Sequence, residues 1–139
     1  MNAFMMNSQM ANTYKQQQIL TAPPEQLTLL LYNGALRFLN ESIQALEAKD
    51  LQKSHEANLR VQAIVREFMA TLNMDMEISK NWMALYDYVE DCLIQGNIKK
   101  DVQLLQNAKD ILEEMRNTWY EAMKIASKNK AAVGDGYGV

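Results

Sequence analysis

Two side chains in this sequence have the chemistry of a nucleophile and a base: the single cysteine, Cys92, and the single histidine, His55. A thiolate activated by an imidazole attacks electrophilic centres, and it needs an electropositive, partly exposed setting to ionise. Cys92 instead sits in "YVEDCLIQG", on an apolar helical face, the ordinary place of a small core residue. His55 reads as a solvated polar residue. One histidine supports no His-rich metal site, and the Glu-x-x-His pairs of di-iron bundles are missing, because Gln52 stands three residues before His55. Three of the five glycines fall in the last six residues, and none builds a phosphate loop or a dinucleotide fingerprint. Arg37, Arg60 and Arg66 are the candidates for gripping an anionic substrate. Helical pitch puts them on polar faces, where solvation is the default. No catalytic residue, metal or cofactor is expected.

The frame that must carry these residues is a chain of 139 residues with a net charge of −3 and 22 % charged residues. That length makes one domain, which buries roughly 70 % of its unfolded surface. Lys and Arg are spread along the chain rather than clustered, so nucleic acid is not an expected partner. No apolar run is long enough to cross a bilayer, and no basic segment precedes an apolar core at the N-terminus. Membrane insertion and signal-peptide secretion are not expected. A lone cysteine makes no internal disulfide and fits a reducing cytoplasm.

Residues 1–12, "MNAFMMNSQMAN", read as a flexible leader, 13–128 as the folded domain, and 129–139 as a disordered tail with three glycines. Between them lie four long helical patterns. The first opens after "TAPP", since proline costs nothing in a first turn, and Glu25 favours the positive end of the helix dipole. It runs to about Lys49, with Leu29, Tyr32, Leu36, Leu39, Ile43 and Leu46 in one stripe. Leu27, Leu31, Ala35, Phe38 and Ala45 form a second, the mark of a helix covered on two sides. Asp50 is the expected N-cap of the second helix, which runs to Leu72 with Val61, Val65, Phe68, Met69 and Leu72 inward. After "NMDMEIS", where Asp75 and Glu77 suit a helix start, a third helix spans about 78–95, and Gly96 is the expected left-handed cap. The fourth runs from about 100 to 128, with a long inward stripe of Leu104, Leu105, Ala108, Ile111, Leu112, Met115, Trp119, Ala122, Met123 and Ala126. Helices of this length joined by short loops predict an all-α, antiparallel up-down four-helix bundle, preceded by a short arm or helix from "NTYKQQQILTA".

The core does not use every apolar group. On the third helix Ile78, Trp82, Leu85, Tyr86, Val89, Cys92 and Leu93 fall within an arc of about 120°, which a core absorbs. Met83 and Ile94 project elsewhere, and Tyr88 lies off the opposite edge. Leu59 sits off the stripe of the second helix, among His55, Gln62 and Arg66. Single exposed apolar residues are normal. Several on adjacent helices point to a groove that takes apolar segments of a partner.

"NTYKQQQILTAPPEQLTLLLYNGALRFL" followed by "LYDYVEDCLIQGNIKKD" resembles the FliS family, the cytoplasmic export chaperones of flagellin. Tyr14, "TAPPEQL", "LYNGA", "LYDY", the "NIKKD" turn and Trp119 carry the likeness, over about residues 12–126. Pro23 departs from it, standing where the family usually has a serine or threonine N-cap. Loss of such a cap typically costs ~1 kcal/mol.

The resemblance implies a bundle that binds the C-terminal segment of flagellin, keeps it from polymerising and presents it for export. An export-gate component and other flagellar regulators are further implied partners. Family members wrap the client around the outside of the bundle, and an N-terminal arm of the free chaperone can occupy the client's place. Tyr14, Ile19, Leu59, Met83, Tyr88 and Ile94 are the expected client contacts, with Tyr14 and Ile19 on the arm. The alternative from the residues alone is an adaptor whose spare apolar face closes a homodimer and has no flagellin client.

Overall fold

A computed structural model describes residues 22–137. The expected leader and arm, with Tyr14 and Ile19, lie outside the described residues. Four helices follow in order: α1 Pro24–Glu47, α2 Leu51–Thr71, α3 Ile78–Lys99 and α4 Val102–Tyr137. They pack as a ring, α1 on α2, α2 on α3, α3 on α4 and α4 back on α1. This is the all-α four-helix bundle that the periodicity predicts.

Helix α1 begins without a side-chain cap at Pro23. Its first turn is held by the Leu27 amide donating to the Pro23 carbonyl at 2.9 Å, and Glu25 lies in that turn. Asp50 caps α2, its carboxylate accepting from the Lys53 amide at 3.2 Å. The start of α3 is organised differently from expectation. Glu77 makes no cap, and Asn73 instead accepts the Asp75 amide on its side chain and the Ser79 hydroxyl on its carbonyl.

Two helix ends correct the sequence reading. Helix α3 runs past Gly96 to Lys99, and Lys100 is the left-handed residue, with φ 52°. Gly96 has another role: a Cβ there would lie 2.8 Å from Leu105 Cδ2 and 3.2 Å from Leu104 Cβ. Glycine therefore lets α3 and α4 approach closely. Helix α4 continues to Tyr137 rather than stopping at Lys128.

The core is built from both α1 stripes and one stripe each of α2, α3 and α4, including Leu39, Val61, Val65, Val89, Leu93, Leu105 and Leu112. At its centre Tyr32 lies 4.5 Å from Phe68, and Phe68 stacks on Tyr86 at 5.6 Å between ring centroids. The Tyr32 and Tyr86 hydroxyls hydrogen-bond each other. Ser42 on α1 and Ser54 on α2, both buried, each donate to the other's carbonyl at 2.8 Å. Such reciprocal pairing satisfies both hydroxyls without water.

Candidate functional site

The four expected client contacts within the described residues fall on two different faces, and other large apolar side chains, Met76, Ile98 and Ile125 among them, are exposed as well. The first is the groove between α2 and α3. Three polar contacts close its floor and walls: Asn58 Nδ2 donates to the Leu93 carbonyl at 3.1 Å, Arg66 Nε to Glu90 Oε2 at 3.1 Å, and Asn97 Nδ2 meets His55 Nδ1 at 2.8 Å. Asn58 is fully buried, and its Oδ1 accepts from Gln62 Nε2 at 2.7 Å, so both ends of its amide are used.

Helical spacing then places the aliphatic residues. Leu59 is one turn after His55 and two turns before Arg66, on the same stripe of α2. Ile94 is one turn after Glu90, and Met83 two turns before it, on the facing stripe of α3. Leu59 is 46 % exposed, while Met83 and Ile94 are half-buried. Helical spacing thus puts Leu59 on the α3 side of α2, and Met83 and Ile94 on the α2 side of α3, along roughly 16 Å of the α2–α3 groove at 1.5 Å per residue.

Tyr88 belongs elsewhere. Five residues from Met83 rotate it by about 140°, toward α4. It is 48 % exposed beside Cys92. The neighbouring Cys92 thiol raises the phenol above its ordinary range. Burial pushes the Cys92 thiol up, although the neighbouring Tyr88 hydroxyl opposes that. A thiol held protonated in the core is a poor nucleophile, and His55 lies on the groove stripe of α2 rather than at Cys92. Among the described residues no group of three or more His, Cys, Asp or Glu side chains could hold a metal ion.

Some groups assigned to the core are outside it. Ile78 is 56 % exposed and Leu85 is also exposed, because the α3 arc is wider than the strip that α2 and α4 cover. Ala122 and Ala126 are exposed and Met123 half-buried, because α1 ends at Pro24 while the α4 stripe continues past it. With Pro23 and Trp119 they line an open apolar groove of about 490 Å³. Trp119 and Trp82, expected as core anchors, are half-buried and pack on the core's edge. Trp119 Nε1 also donates to the Glu25 carbonyl at 3.0 Å, fastening the start of α1 to α4. The alanines at 122 and 126, one turn apart in a stripe of larger residues, were the available signal for this groove.

The family model described as "Flagellar protein FliS" matches residues 5–126. A Bacillus subtilis protein named flagellar secretion chaperone FliS is 36 % identical over 121 residues, covering 87 % of this chain and 91 % of its own. A Salmonella typhimurium protein of the same name is 29 % identical over 112 residues, covering 78 % and 83 %. The crystal structure of a bacterial flagellar chaperone shares the fold, with a TM-score of 0.68 at 19 % identity, over 85 % of this chain and 98 % of that one. The chain belongs to the flagellar protein FliS family.

Proposed function

We propose that this protein is a cytoplasmic export chaperone that binds the C-terminal segment of flagellin, keeps it from polymerising and delivers it for export. It makes and breaks no covalent bond. The observation that carries the reading is the line of accessible aliphatic side chains, Leu59, Met83 and Ile94, along the α2–α3 groove, with Tyr88 exposed on the next face. The names of the relatives agree with it.

The physical requirement is area. Ordering a client residue costs roughly 1 kcal/mol of backbone entropy, and burial returns roughly 25 cal/mol per Å². Each client residue therefore needs roughly 40 Å² of apolar contact. Grooves running along several helices supply this for a long segment, where a compact pocket does not. Tyr14 and Ile19 are proposed to lie on an arm that covers client surface in the free protein. An export-gate component and other flagellar regulators are proposed as further partners.

The test is calorimetric titration of the full chain with a C-terminal flagellin peptide, with amide shifts to map contacts. Saturable heat and shifts along α2 and α3 support the reading. No heat, together with a stable dimer that ignores the peptide, would favour the adaptor role instead.

A further inference from the structure

Phe38 on α1 packs against the edge of the core, and two guanidiniums lie over its ring. Arg37 Cζ is 5.0 Å from the ring centroid, and Arg60 Cζ, from α2, is 5.3 Å away. Two like charges are thus held within roughly 10 Å of each other around one aromatic ring. Among the described residues the ion pairs are Arg66–Glu90, Lys109–Glu113 and Lys124–Glu121, so neither of these arginines is in one. The carboxylates a turn away do not take them up: Glu56 accepts from Gln52 at 3.2 Å, and Glu41 makes no ion pair with Arg37.

A guanidinium over an aromatic ring uses its π surface there and keeps its N–H edge for a carboxylate, which it grips with two parallel bonds. Phe38 holds both donors in place before any ligand arrives, which lowers the entropy cost of capture. We propose that Arg37, Phe38 and Arg60 form a second docking surface, on the α1–α2 face, for an acidic segment of a protein partner. Each guanidinium takes one carboxylate side chain, and the ring packs under the aliphatic stem between them. With only two guanidiniums, and with Glu41 and Glu56 a turn from them in a chain of net charge −3, the site suits a pair of carboxylates rather than an extended polyanion such as nucleic acid or an anionic membrane. Leu59 points about 100° away from Arg60 around α2, so this surface and the α2–α3 groove are separate.

The experiment follows arginine Nε–H signals of the full chain by NMR. The probes are a blocked hexapeptide with three glutamates, its glutamine counterpart, inorganic phosphate, and vesicles of anionic phospholipid. The glutamate peptide is expected to shift the Arg37 and Arg60 signals saturably, less so as salt rises, while the glutamine peptide does not. The R37Q/R60Q double variant should weaken binding about tenfold or more, the scale of a lost charge-assisted hydrogen bond. R37K/R60K should weaken it nearly as much, since lysine keeps the charge but has no planar fork. The proposal is overturned by the absence of a saturable shift, by equal shifts at Arg66, by phosphate or vesicles giving the same response, or by undiminished binding to R37K/R60K.

Discussion

The hydroxyl of Tyr32 on α1 and that of Tyr86 on α3 meet in the middle of the core, each with the other as its hydrogen-bond partner. The two helices are not neighbours in the ring, and Phe68 of α2 lies against both rings. This pair fixes the separation of the two helices across the bundle with a directional contact that aliphatic packing lacks.

Removing both hydroxyls should cost less than the two single removals added together. Tyr32→Phe or Tyr86→Phe leaves a buried hydroxyl unpaired and should cost about 1–3 kcal/mol. The double variant leaves nothing unpaired and should lie well below the sum of the singles. Urea denaturation of the four proteins, read as a double-mutant cycle, checks this.

The same pair predicts alkaline lability. Burial, first of all, raises both phenols above the ordinary tyrosine value near 10. The folded state therefore keeps protons that the unfolded state releases. Its stabilisation is complete below about pH 10 and is lost as pH rises above that, at about 1.4 kcal/mol per unit for each phenol held neutral. Denaturation midpoints between pH 9 and 11.5 should fall more steeply for the wild type than for the double Phe variant. Ultraviolet titration should leave two of the six tyrosines un-ionised until the protein unfolds.

Alanine should have opposite effects at two helical glycines. At Gly96 the new methyl meets Leu105, itself buried and unable to retreat, so Gly96→Ala should destabilise by about 1–2 kcal/mol despite alanine's better helix propensity. At Gly34 the nearest atom is Ile64 Cδ1 at 3.9 Å, an ordinary contact. Gly34→Ala should stabilise by up to about 1 kcal/mol. Thermal melts of both variants suffice.

Leu59→Asp separates binding from folding. Leu59 is 46 % exposed, so a charge there should change stability by less than about 0.5 kcal/mol. Client affinity should fall by about tenfold or more, since a carboxylate must be desolvated in the filled groove. Calorimetry with the flagellin peptide and a parallel urea melt measure the two effects. Full retention of affinity would remove Leu59 from the client surface.

Helix count, ring order and most of the core were legible because apolar spacing at the helical period reports which face is buried. Asp50 was legible as a cap because its side chain acts on a neighbour three residues away. Gly96 was misread because one residue type serves two needs, a left-handed turn and a close helix approach, and only the Leu105 contact tells them apart. The α4 stripe was misread past Trp119 because periodicity carries no information about where a partner helix stops. For the candidate site, the spare residues were visible, but their grouping was not. Leu59 and Ile94 come to the same groove through the register in which α2 packs on α3, seen in the Asn58–Leu93, Arg66–Glu90 and His55–Asn97 contacts, and a single strand of sequence does not carry that register. The stacking of Arg37 and Arg60 on Phe38 joins two helices and had no trace along the chain.

The connections between the helices are unequal. Only 48–50 separate α1 from α2 and 100–101 separate α3 from α4, whereas 72–77 separate α2 from α3. The molecule is thus two tight hairpins joined by its longest loop, and the α2–α3 groove is the seam between them. A chain lying in that seam would touch both hairpins and act as a staple. Its occupancy would then raise the free energy of parting the halves by mass action, and cargo release would be coupled to how readily the seam opens.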